Sequence, residues 1–223
     1  MMDALIKYIK ISLFLICMLG VSCNNTTKKN LNSNNKTAAQ LLGNPKYPAI
    51  SYGGYRKSSR EIQPSIEAIK EDLNIMHAMG IRLLRTYNLQ LDQAPNILKA
   101  IKELRMEHSD FEIYVMLGAW IDCENAWTDQ PPNHEKEDEQ NNASEIAKAI
   151  ELSNQYPEIV KIIAVGNEAM VHWATSYYVQ PKVVLKWVNY LQDQKSRGHL
   201  PKTIWITSSD NFASWGGGSS DYH

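Results

Sequence analysis

The sequence predicts an α/β fold of the (β/α)8, TIM-barrel type, truncated after about five strands, and three observations point there. Strand-like and helix-like segments alternate from about residue 41 onward with short connections, the pattern of a parallel sheet with crossover helices. The strand at 160–165 is almost continuously apolar and β-branched, as befits a strand covered on both faces. Polar and charged residues gather just after the strands, and the C-terminal strand ends are where a barrel carries its chemistry. A dinucleotide-binding sheet is disfavoured. Gly53 and Gly54 follow the first strand without the third glycine or the later ribose-binding acid. A complete barrel takes about 250 residues, so a chain of 223 that spends its start on other tasks is expected to stop short of eight strands.

Each element has its own signal. Residues 49–55 read as a first strand ending in a glycine turn. Pro64 opens a helix with Ile66, Ile69, Leu73, Met76 and Met79 on one face, and Gly80 stops it. Residues 81–87 form the second strand, and a helix from about Pro95 turns Ile97, Leu98, Ile101 and Leu104 inward. Residues 111–118 are the third strand. A polar insert, 123–142, follows, and its acidic run at 134–139 reads as a solvated surface because like charges repel and stay wet. The third helix carries Ile146, Ala149 and Ile150 and ends near Tyr156 and Pro157. After the strand at 160–165, Pro181 opens a helix with Val184, Leu185, Val188 and Leu191, stopped near Gly198. Residues 203–207 are the fifth strand, and 208–223 read as loop.

The first forty residues stand apart. Lys7 and Lys10 precede a short apolar run, 11–22, which makes residues 1–22 a secretory signal rather than a membrane span. Small residues before Cys23 resemble a bacterial lipoprotein signal, with Cys23 as the lipidated residue and a lipid bilayer as the implied partner; a plain cleaved signal is the alternative. Residues 23–40 are polar and expected to be a disordered tether, leaving 41–223 as the folded part. The expected location is therefore the cell envelope. Cys123 would then be the only other cysteine of the mature chain, with no partner for a disulfide and no metal-ligand spacing. A composition of 43% hydrophobic and 21% charged residues with net charge -1 describes a globular protein and gives no electrostatic case for nucleic acid. Tyrosine and tryptophan far outnumber phenylalanine, a bias suited to stacking on ligands.

The strand ends supply the candidate site. Gly166 lets the backbone pass closely before Asn167 and Glu168, and a Glu at that place can act as a general acid; an ordinary turn pair is the plainer reading. Tyr52, Arg85, Tyr87, Trp120, Asp210 and Trp215 flank the other strand ends. Aromatic faces, hydrogen-bonding groups and carboxylates together are what carbohydrate chemistry needs. Arg85 could equally pair with a carboxylate lining the barrel, and the tyrosines could be packing at the rim.

These segments resemble glycoside hydrolase family 17, the β-1,3-glucanases and related glucan transferases. Residues 164–168, Ala-Val-Gly-Asn-Glu, are similar to that family's strand-four acid motif. Residues 50–54, 84–87, 115–120 and 206–210 are similar to the motifs of its other early strands, in the same order. The resemblance implies a retaining glycosidase acting on β-1,3-glucan, with Glu168 as acid/base. Asn167 would orient the sugar's 2-hydroxyl or the nucleophile, and Tyr52 and Tyr87 would line the cleavage subsite. Retention needs a second carboxylate about 5–5.5 Å away; the family carries it on a later strand, expected beyond His223, and Asp122 and Asp210 are the nearest substitutes. This 223-residue form is accordingly expected to be inactive alone. No metal or organic cofactor is implied. A non-catalytic glycan-binding protein and a transglycosylase remain as alternatives.

Overall fold

The computed structural model describes residues 35–216. The signal and lipidation readings, Cys23 included, lie outside them, and the described elements belong to the unit that begins at Lys36. A helical turn, α1 (Ala38–Leu41), leads to β1 (Ala49–Ser51), α2 (Ile66–Ala78), β2 (Leu83–Arg85), α3 (Gln93–Glu107) and β3 (Tyr114–Ala119). A small hairpin of β4 (Cys123–Glu124) and β5 (Asn133–Glu137) precedes α4 (Glu139–Gln155) and β6 (Val160–Asn167). Next come α5 (Pro181–Ser196), β7 (Trp205–Ser209) and the short α6 (Phe212–Gly216).

Five strands form one parallel sheet in the order β1-β2-β3-β6-β7. That order is the order of the chain. A doubly wound sheet reverses direction partway and places helices on both faces; here there is no reversal, and all the long helices pack on one face. Leu84, Val115, Leu117, Ile163 and Val165 from the sheet meet Ile69 and Leu73 of α2, Ile97 and Ile101 of α3, Ile146 of α4, and Val184 and Leu191 of α5. The opposite face, which lines a barrel's interior, carries Leu83, Tyr114 and Ile162, packed against Ala38 and Leu41. The architecture is that of five consecutive strands of a (β/α)8 wall.

Local chemistry explains the element boundaries. The Ser65 hydroxyl accepts from Ala68 N at 3.1 Å to cap α2, and Asp138 accepts from Asn141 N at 3.0 Å to cap α4. Pro181 occupies the first turn of α5. Gly80 and Gly198, at φ 85° and 81°, stop α2 and α5 as their positions predicted.

Four expectations need correction. The tether ends sooner than residue 40: the Gln40 side chain accepts from Thr37 N at 2.9 Å, and Ala38 and Leu41 are buried on the inner face of the sheet, an apolar pair hidden by its polar surroundings. The acidic run is not all solvated loop. It includes β5, and Glu137 accepts from Lys186 Nζ at 2.5 Å and Trp187 Nε1 at 2.6 Å, tying the hairpin to α5. Burial pushes the Glu137 carboxyl upward, but these partners outweigh it and hold the group below its ordinary value. Met79 and Leu185, placed on inward faces by periodicity, are 69% and 57% exposed: Met79 caps the helix end and Leu185 sits beyond the edge of the α5 stripe. Residues 212–216, read as loop, form α6.

Candidate active site

Parallel pairing brings the strand ends together. Ser51 lies level with Arg85, Arg85 with Met116, and Asn167 with Ser209. Between Val165 and Asn167 the β6–β7 register shifts, and Gly166, at φ 77°, is the extra residue. An added Cβ there would lie 2.9 Å from the Ala169 Cβ, so glycine is required both by conformation and by space. Such a bulge bends the strand and re-aims the next side chains. Glu168 follows with φ 48°, a left-handed backbone that costs a non-glycine residue roughly 1–3 kcal/mol. The bond from Glu168 N to Ser209 O, 2.9 Å, holds it there.

Below Glu168 the Arg85 guanidinium donates to the Asn167 amide oxygen and lies 3.5 Å from the Ser51 hydroxyl. A guanidinium only donates, so the amide oxygen must face it and the amide NH2 points the other way. Arg85 also sits 5.3 Å from the centre of the Tyr87 ring. Arg85 thus meets an amide rather than the carboxylate that sequence left open. Asp210 Oδ2 accepts from Met170 N at 2.8 Å and Oδ1 from Asn211 N at 2.8 Å, so this carboxylate ties the loop after Glu168 to the end of β7.

An aromatic group stands beside these residues. Trp120 and Trp127 both donate their indole N–H to Asp122 Oδ1, at 2.5 and 3.2 Å. Tyr177 packs against both, with ring centres 5.0 Å from Trp120 and 5.2 Å from Trp127. Ala119, just before Trp120, is level with Val165, and Val179 N donates to Ala169 O at 2.7 Å, so the aromatic group and the loop that carries Tyr177 adjoin the end of β6. Burial pushes the Tyr177 phenol up to about 12, and the negative charges of Glu168, Asp210 and Asp122 add to the rise. Asp122 is only 3% exposed, and burial pushes its carboxyl up to about 6 against the two indole donors.

Behind the group lies Glu145, on α4 and 2% exposed. Its carboxylate accepts from Leu89 N with both oxygens at 3.0 Å and from Trp120 N at 2.8 Å, joining the loop after β2 to the end of β3. Burial pushes it up to about 7 despite those donors, and the charge of Asp122 contributes.

The strand ends therefore assemble Arg85, Tyr87, Trp120, Asn167, Glu168 and Asp210 around one region. Tyr52 does not join them. Its ring packs with the helix layer and its hydroxyl donates to Asp72 of α2 at 2.7 Å, because it is one residue out of phase with Ser51, whose hydroxyl lies beside Arg85. Burial and that bond hold the phenol well above its usual range. Trp215 is 60% exposed on α6. Asp122, considered from sequence as a substitute nucleophile, is buried and occupied by two indoles; Asp210 is occupied by two backbone donors. The sequence reading did not single out Trp127, Tyr177 or Glu145. An aromatic inside a polar insert was the available signal for Trp127, whereas Tyr177 and Glu145 carry none.

The crystal structure of an endo-laminarinase from Formosa Hel1_33_131 is similar to this chain, with 66% sequence identity and a TM-score of 0.82. The match covers 84% of this chain and 48% of that one, so the chain spans about half the length of its structural neighbour. No protein-family model and no curated protein matches the chain.

Proposed function

We propose that this chain carries the acid/base side of a retaining β-1,3-glucan hydrolase site of the glycoside hydrolase family 17 kind, with laminarin-type glucan as substrate. The observation that carries the reading is Glu168, held in a strained conformation at the end of a bulged barrel strand, beside the Arg85–Asn167 pair and the indoles. Backbone strain is kept where surrounding structure over-determines it, which is characteristic of catalytic positions. The likeness to an endo-laminarinase supports the substrate class, a β-1,3-glucan. In this reading Glu168 protonates the leaving glycosidic oxygen and later activates water, while the Asn167 NH2 donates to a sugar hydroxyl. The nucleophile carboxylate is expected on a later strand, as in the family that the chain resembles; Asp122 and Asp210 are each engaged by donors of their own chain. Export and lipid attachment at Cys23 belong to the proposal, and loss of acyl labelling in a Cys23→Ala variant tests them.

The decisive experiment is laminarin hydrolysis by the full-length protein and its Glu168→Gln variant. Turnover should fall about 10²–10⁴-fold; a change of only a few-fold removes Glu168 from the chemistry. Laminarin binding without any cleavage by the parent would favour the glycan-binding alternative, and longer products at high donor concentration would favour transglycosylation.

A further inference from the structure

Trp127 is an unusual place for a large aromatic residue. The residue is 62% exposed, so it adds little to the core, and its backbone lies at φ 61°, where a bulky residue is a conformational outlier. Asn125, two residues earlier, is also left-handed at φ 65°. Yet the indole is held from two sides. Asp122 accepts its N–H, and the Tyr177 ring stacks on it at 5.2 Å with the planes only 22° apart. The anchor is itself fixed. Asn142 accepts from Asp122 N at 2.8 Å and donates to Asp122 O at 3.0 Å, and Asp138 N donates to the same carbonyl at 3.1 Å. The Cys123 N–H reaches Tyr177 O at 3.2 Å, closing the link between this loop and the one after Glu168.

We propose that Trp127 and Tyr177, with Trp120 beside them, form a sugar-stacking subsite next to Glu168, and that Asp122 is the positioning residue that sets the two indoles. The proposal rests on the glucanase reading and deepens it by naming where a glucosyl ring beyond the cleaved bond is held. The chemistry suits that occupant. A β-linked glucosyl ring presents C–H groups on its faces, which pack on an aromatic face, and its hydroxyls at the edge need polar neighbours. An indole whose N–H is already satisfied has no polar demand of its own, so its open face is available. Because the carboxylate is anionic and shared by both N–H groups, it fixes ring orientation without reaching the sugar. Asp122 acts only through the indoles.

The test uses the full-length protein with laminarin and with a linear β-1,3-glucan hexasaccharide. In the parent enzyme, Trp127→Ala should raise KM for laminarin about tenfold while kcat stays within about threefold, because the ring binds ground and transition states alike. In a Glu168→Gln background, which slows turnover, hexasaccharide binding followed by calorimetry should weaken about tenfold with Trp127→Ala. Asp122→Ala should weaken it as much, whereas Asp122→Asn, which keeps an acceptor oxygen for both indoles, should recover most of the affinity. Near-UV circular dichroism of the Asp122 variants reports whether the rings remain ordered. A parent that binds and cleaves laminarin together with a Trp127→Ala variant that does both equally well overturns the subsite and leaves the glucanase reading standing. A parent that neither binds nor cleaves glucan overturns both.

Discussion

At the scale of single residues, the buried carboxylates behind the strand ends make stability depend on pH. Burial raises Glu145 to about 7 and Asp122 to about 6, so each binds its proton more tightly folded than unfolded. Their contribution to stability is therefore fully present below the unfolded values and is lost as pH rises through the folded ones. For Glu145, the expected loss between pH 5 and pH 8 is about 2 kcal/mol. Urea denaturation of the parent and of Glu145→Gln at both pH values measures it: the variant, which carries no titrating group there, should lose about that much less. Equal changes in the two proteins would mean that Glu145 is not raised. A residue-scale reading also separates Asp122 and Glu145 from Glu168. The first two are enclosed by donors from their own chain, and only Glu168 stands at the open end of a strand.

Elements place those residues by close backbone approach. Gly118 near the end of β3 shows the constraint: a Cβ there would lie 2.3 Å from the Thr86 carbonyl oxygen, backbone that cannot swing aside. The Thr86 hydroxyl also accepts from Gly118 N at 3.0 Å, so the segment after β2 and β3 are locked together just below Tyr87 and Trp120. Gly118→Ala is expected to cost about 3 kcal/mol, the upper range for overpacking, read as a lower urea midpoint at unchanged slope. A cost under about 0.5 kcal/mol would show that the two segments can separate freely. The β4–β5 hairpin is a second example. Its anchor to α5 through Glu137, Lys186 and Trp187 makes a surface insert part of the wall that carries Asp122.

At the scale of the molecule, two apolar clusters among the described residues lie on opposite faces of one sheet, and the inner one depends on α1. Leu41 is 1% exposed among Leu83, Tyr114 and Ile162. Leu41→Ala should destabilise the fold by about 2–4 kcal/mol, the usual cost of an apolar cavity, and deletion of the turn should cost more. Thermal unfolding followed by circular dichroism measures both; an unchanged midpoint would mean the inner face does not need the turn. The edge strands are different. Ile50 on β1 and Trp205 on β7 are 42% and 45% exposed, and each edge presents backbone groups without a sheet partner among the described residues.

Local sequence was enough to read the alternation of strands and helices, the glycine stops, most of the inward faces of α2 to α5 and the position of Glu168 at a strand end. Those features are local: periodicity, turn residues and β-branched runs act over a few positions, so they can be read in one pass. Arg85, Tyr87, Trp120 and Asn167 were legible for the same reason, since parallel strands present their ends at one level. That Tyr52 faces the helices, that Glu137 is held by α5, and that Asp122 gathers two indoles against Tyr177 emerged only once the chain was packed. These depend on the phase of a single residue, or on side chains some fifty positions apart meeting. A hydrogen bond or ring contact at that separation follows from the packing of the sheet and leaves no period in the chain.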